Sequence, residues 1–192
     1  IDVLHDWLSR FAQTDWRPQL PGDPRIRLDG LQACLPEMEF WLPVRQVSVA
    51  ELDRRITEGV FQGVPRPALA AQALNGLFKG FIDLSFQVGE RYYLIDYKSN
   101  HLGPRLADYA APALRQAACA ARYDVQMLMY VLALHRQLRL RLPDYDYRRH
   151  MGGAVYLFLR GQDAPGQGLL SLCPPQDLVE SLDALFAGAG HE

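Results

Sequence analysis

The chain has 192 residues, 49% of them hydrophobic and 22% charged, with 15 Gly and 13 Pro, which excludes a disordered or fibrous chain and leaves room for one domain with a sizeable core. Twenty Lys and Arg against 22 Asp and Glu give a formal net charge of −2, so no whole-molecule field attracts polyanions and any nucleic-acid contact needs a local patch. No run of roughly 18 apolar residues occurs and no basic segment precedes an apolar signal-like core, and Cys34, Cys119 and Cys173 form no disulfide framework, so a cytoplasmic setting without membrane contact is expected.

Residues 1–13 place Ile1, Leu4, Leu8 and Phe11 on one face of a helix, with His5 beside that stripe. A chain that opens on Ile1 reads as a fragment of a longer polypeptide. The Pro- and Gly-bearing stretch 17–30 reads as loop, and 37–44 alternates charge with bulky apolar groups as a short strand does. Residues 75–100 hold two β-rich runs around a glycine and read as a hairpin. The segment 104–142 reads as two helices, interrupted at Pro112 and at Tyr123-Asp124. A buried strand over 153–160 and a closing helix over 175–186 complete an α/β domain.

The hairpin carries the chemistry. A two-residue turn at Gly89-Glu90 sets Asp83 directly across from Asp96, and Lys98 shares their face. That face takes Phe81, Asp83, Ser85, Gln87, Tyr92, Leu94, Asp96 and Lys98 and reads as chemical. The other takes Ile82, Leu84, Phe86, Val88, Tyr93, Ile95 and Tyr97 and reads as core. Opposed carboxylates repel unless a hard cation such as Mg²⁺, Mn²⁺ or Ca²⁺ neutralises them. By spacing alone, an Asp and Lys pair on a sheet surface explains the pattern as well.

Gly80-Phe81-Ile82-Asp83, Ile95-Asp96-Tyr97-Lys98 and Gln126 through Tyr130 resemble the hydrophobic-Asp, Asp-x-Lys and Q-x-x-x-Y series of the PD-(D/E)XK nuclease superfamily, in its RecB-like branch. The likeness covers nearly the whole chain and is most specific over residues 79–160. It implies a restriction-endonuclease-like core, a mixed central sheet flanked by helices, in a single nuclease domain spanning 1–192. Segment 1–35 would supply one metal ligand.

The same resemblance implies site roles. Asp83, Asp96 and His5 would hold a metal, Mg²⁺ or in its place Mn²⁺ or Ca²⁺, with the main-chain carbonyl of Tyr97 a further ligand. Lys98 would be the active-site lysine and Glu37 the motif glutamate, with Glu39 an alternative two residues on. Gln126 and Tyr130 would lie near the metal and the DNA strand. The activity implied is an exodeoxyribonuclease V type hydrolase acting on single-stranded DNA fed by a helicase motor, in double-strand break repair and recombination. RecC and RecD subunits and RecA would be partners. An inactive nuclease-like module and a stand-alone structure-specific endonuclease are the competing readings. The arginines of 136–149 read as a solvated face that a nuclease could use for phosphates.

Overall fold

The computed structural model describes residues 2–70, 73–162 and 166–188. Ile1 of the expected helical stripe lies outside them. In chain order come α1 (Asp2–Gln13), β1 (Cys34–Ser48), α2 (Val49–Gly59), β2 (Ala73–Val88), β3 (Arg91–Lys98), α3 (Ala111–Ala120), α4 (Tyr123–Arg141), α5 (Tyr147–His150), β4 (Met151–Phe158), β5 (Leu169–Leu172) and α6 (Gln176–Ala187). The strands form one sheet in the order β1-β2-β3-β4-β5, antiparallel at each step except between β3 and β4. A parallel step requires a crossover, and α3 and α4 lie within it. This is the mixed sheet with flanking helices that the sequence predicts.

Both faces of the sheet are covered. On one, Leu42, Val44, Ile82, Leu94, Tyr156 and Phe158 pack with Leu52 and Ile56 of α2, Met127, Leu128 and Val131 of α4, and Val179, Leu182 and Phe186 of α6. On the other, Leu84, Phe86, Tyr93, Ile95, Val155 and Leu157 pack with Trp16, Leu20 and Ile26 of the N-terminal loop. An isolated bridge between Trp16 and Ile26 holds that loop, and the Tyr93 hydroxyl donates to the Pro21 carbonyl at 2.7 Å. Central strands covered on two sides read as continuous apolar runs, as β4 does.

Several elements depart from expectation. In α1 the half-buried face is Trp7 and Phe11, whose rings stack 5.3 Å apart, while Leu4 and Leu8 of the expected stripe are exposed. Pro112 starts α3 and does not interrupt a helix; its missing N–H costs nothing in a first turn. β1 is far longer than the expected strand, because β2 pairs with it from Cys34 to Ser48. Two arginines of α4 are structural: Arg136 and Arg139 both bind Asp183 of α6, at 2.5 and 2.9 Å. Arg149 binds Asp144. Among the described residues no helix is long and apolar enough to cross a membrane.

The start of α4 is pinned by buried charges. Arg122 takes a left-handed backbone, φ +55°, and pairs with Asp53 of α2 at 2.7 Å and with Asp124 at 3.1 Å. Asp124, fully buried in the first turn of α4, also receives Arg66 Nη1 at 2.6 Å. Arg66 in turn donates to the carbonyls of Val60 and Phe61. A carboxylate is favoured at a helix N-terminus, but at zero exposure it depends on these partners. Arg66→Ala is therefore expected to cost about 3 kcal/mol of unfolding free energy, seen as a lower urea midpoint at unchanged slope. A loss below about 0.5 kcal/mol, the range of a surface substitution, would contradict this.

Candidate active site

The turn between β2 and β3 is Gly89-Glu90 with Gly89 at φ +59°, a positive value that suits glycine at the first central position of a two-residue hairpin loop. The ladder runs Val88↔Arg91, Gln87↔Tyr92, Phe86↔Tyr93, Ser85↔Leu94 and Leu84↔Ile95, the register expected from the sequence. There it ends. In place of the next main-chain pair, the carboxylate of Asp83 accepts the Tyr97 N–H at 2.8 Å. Beyond this point β2 continues beside β1 and β3 beside β4, so the strands fork with Asp83 and Asp96 at the crotch.

The expected split into a chemical face and a core face does not hold through the fork. Leu35, Ser85 and Met38 line one apolar cleft against Leu134 and Leu138 of α4, and Ile82 packs in the cluster on that same side. Leu35 and Met38 share a side although their numbers differ in parity, as do Ile82 and Ser85. Side-chain direction therefore changes over at Glu37 in β1 and at Asp83 in β2. Glu37 carries the change in a left-handed conformation, φ +51°, which is uncommon for a residue with a Cβ. Leu94 beside Asp96 is 1% exposed, so the chemical face is also core.

Asp96 and Lys98 are both buried, 5% and 8% exposed. A closed circuit joins them through α4. Lys98 Nζ donates to Gln126 Oε1 at 2.8 Å, Gln126 Nε2 donates to the Tyr130 hydroxyl at 2.7 Å, and that hydroxyl donates to Asp96 Oδ1 at 3.2 Å. Lys98 Nζ closes on Asp96 Oδ2 at 2.5 Å as an ion pair, and Oδ2 is buried with no other partner among the described residues. Gln126 and Tyr130, one helical turn apart, direct their polar atoms into this circuit. They also line a cleft of about 410 Å³ shared with Phe40, Phe78 and Arg122. Burial holds the Asp96 carboxyl above its usual range; Lys98 opposes that shift and the charge of Asp83 adds to it. Burial likewise raises the Tyr130 hydroxyl, helped by the Asp96 charge, so the hydroxyl keeps its proton as a donor.

Other expected site residues fall differently. Glu37 stands across from Asp83, between the pairs Pro36↔Leu84 and Met38↔Ile82, and is exposed. Glu39 instead pairs with Lys79 at 3.1 Å, so of the two glutamates Glu37 is the one at the fork. His5 does not join the carboxylates. Its side chain is 77% exposed with Asp6 at 3.7 Å, because α1 docks through Phe11 onto Trp16 and Tyr97 and leaves His5 on the solvent side. Among the described residues no three His, Cys, Asp or Glu side chains are grouped to hold one ion, so the expected set of His5, Asp83 and Asp96 is not assembled. Two tyrosines that hairpin spacing does not reveal join the site. Tyr156 lies beside Asp96 in the β3 and β4 ladder and donates to Gln126 Oε1 at 3.0 Å. Tyr123 precedes Gln126 by three residues, a helical spacing that was available as a signal.

The sequence profile of the PD-(D/E)XK nuclease superfamily matches residues 2–187. The chain belongs to this superfamily. It is 46% identical over 191 residues to RecBCD enzyme subunit RecB of Escherichia coli (strain K12), covering 97% of this chain and 16% of that protein. To the RecB subunit of Haemophilus influenzae it is 38% identical over 188 residues, 96% of this chain and 15% of the relative. To that of Mycolicibacterium smegmatis it is 38% identical over 196 residues, 93% and 17%. The chain thus spans about a sixth of the length of the curated relatives it matches.

PD-(D/E)XK nucleases generally use divalent metal ions, and the fork fits one as a two-carboxylate site. Asp83 and Asp96 supply hard oxygen donors, and Asp96 Oδ2 is buried with the Lys98 ammonium as its partner, so an ion at the fork would share that oxygen with Lys98. Mg²⁺ is commonly held by one or two carboxylates, with water and phosphate completing its shell. A ligand that binds only the folded state raises Tm by mass action, so added Mg²⁺ is expected to raise Tm at neutral pH, and Asp96→Ala to abolish the rise. Ion binding requires the deprotonated carboxylate. Because the Asp96 carboxyl is held above its usual value, the rise should fade, as pH falls, already above the ordinary aspartate value of about 3.9. A Tm indifferent to Mg²⁺ at neutral pH would contradict the two-carboxylate site.

Proposed function

We propose that this chain is a Mg²⁺-dependent deoxyribonuclease domain that hydrolyses phosphodiester bonds of single-stranded DNA. The observation that carries the reading is the circuit of Asp96, Lys98, Gln126 and Tyr130 closed beside Asp83 at the fork, in a chain of a nuclease superfamily. Asp83 and Asp96 would hold the ion, with the Tyr97 carbonyl as a further donor. A bound ion would supply Lewis acidity, lowering the pKa of water and polarising a phosphate oxygen. Lys98 would offset the charge that builds as the water oxygen, its proton released to solvent, bonds to phosphorus and the leaving oxygen departs with its electron pair. Gln126 and Tyr130 keep that ammonium and the Asp96 carboxylate in place, and their cleft gives a DNA strand a path beside them. Glu37 stands at the edge of the fork as a second acidic group.

The relatives are named as subunits of a RecBCD enzyme, which supports a place in DNA repair as the nuclease part of a longer cytoplasmic helicase-nuclease. RecC and RecD type subunits would be its partners, and RecA would act on its product strand. A motor that delivers the strand also suits a net charge of only −2, since capture from solution by a basic surface is not then required. Wild-type chain incubated with a labelled single-stranded oligonucleotide is expected to release shorter fragments in Mg²⁺ and none in EDTA. Asp96→Ala and Lys98→Ala should each slow cleavage by about 10²-fold or more. Cleavage by Asp96→Ala at the wild-type rate would overturn the reading.

A further inference from the structure

The ammonium of Lys98 has neighbours that the circuit leaves out. Its Nζ lies 4.2 Å from the centroid of the Tyr123 ring and 4.6 Å from that of Tyr156. The two rings meet edge to face, 5.7 Å apart at 66°, so they form two adjoining walls around one charge. Each ring is fixed by its own hydroxyl. The single proton of the Tyr156 hydroxyl is shared between the Tyr123 carbonyl at 2.8 Å and Gln126 Oε1 at 3.0 Å. The Tyr123 hydroxyl exchanges hydrogen bonds with the Asn100 side-chain amide at 3.1 and 3.3 Å. Tyr156 is 1% exposed and closes the inner wall; Tyr123 is half-buried and forms the outer one.

We propose that Tyr123 and Tyr156 are positioning residues that cage the Lys98 ammonium and hold it ready for the phosphate. A third carboxylate at this place would also hold the lysine, but it would cancel the charge that the reaction uses. An aromatic face attracts a cation through its quadrupole and leaves the charge and the N–H donors intact. Asp96 cannot do this alone, since its carboxylate is also a donor for the ion. The cage keeps Lys98 against Gln126 whichever cation Asp96 favours. The kinetic consequence rests on the nuclease reading of the site; the geometric one does not.

The test uses the whole chain and two readouts. In NMR spectra the ε-CH₂ protons of Lys98 are expected upfield of the other lysines because of ring currents. Tyr123→Leu should move them back, and Tyr123→Phe should keep them upfield. In cleavage of single-stranded DNA with Mg²⁺, Tyr123→Leu should lower kcat about tenfold, equivalent to about 1.4 kcal/mol, with little change in KM. Tyr123→Phe should restore kcat. Absence of the upfield shift in the wild type, or a wild-type kcat in Tyr123→Leu, would overturn the cage. Equal losses in Tyr123→Leu and Tyr123→Phe would also overturn it, because the hydroxyl bond to Asn100 would then be what matters. A wild type that leaves DNA intact while the NMR shifts follow the stated pattern would overturn the nuclease reading and support the cage.

Discussion

Placing Asp96 and Lys98 side by side inside the protein is the constraint on which the rest of the site depends. Each ion loses its hydration, a penalty of several kcal/mol apiece, and mutual attraction offsets it only when further hydrogen bonds complete the geometry. Gln126 and Tyr130 supply those bonds from one face of α4. Such a pair is a poor way to stabilise a fold, since apolar residues of the same size would pack there at lower cost. Its presence among Leu94, Ile95 and Tyr156, each 1% exposed, is better explained by chemistry than by stability. The raised carboxyl of Asp96 follows from the same burial.

The backbone serves that pair from three directions. The hairpin register carries Asp83 and Asp96 to one residue past the last pair of the ladder, Leu84↔Ile95, where the strands part. Asp83 caps the freed N–H of Tyr97, so one carboxylate both closes the sheet locally and adds its charge to the site. The Arg66, Arg122, Asp53 and Asp124 network fixes where α4 begins. That start determines where Tyr123, Gln126 and Tyr130 meet Lys98. A site built on strands and a long buried helix is held more tightly than one built on loops.

Much of this was legible in the sequence, for identifiable reasons. Gly89 between two β-rich runs marks the turn, and a two-residue loop determines every pairing back to Leu84. The helix carrying Gln126 and Tyr130 was legible from composition. Less visible was α2, although Ser48 caps it by accepting from the Glu51 N–H at 3.3 Å and Val49, Leu52 and Ile56 follow at helical spacing. The changeover at Glu37 and Asp83 was not legible, because strict alternation is assumed wherever a strand is read from period two. His5 was assigned a ligand role by resemblance and set beside the Leu4 and Leu8 stripe, but the choice of buried face fell to Trp7 and Phe11, the larger aromatics. Tyr156 required the strand order, since only the parallel pairing of β3 and β4 sets it beside Asp96.

The proposed function thus rests on one fork in one sheet, where the buried Lys98 ammonium, two carboxylates and a cleft along α4 meet. Anomalous diffraction from crystals soaked in Mn²⁺ tests that convergence most directly. A single ion bonded to the carboxylates of Asp83 and Asp96, with Lys98 still against Gln126, is the expected result. An ion held elsewhere, or none at the fork while both aspartates remain ordered, would contradict it.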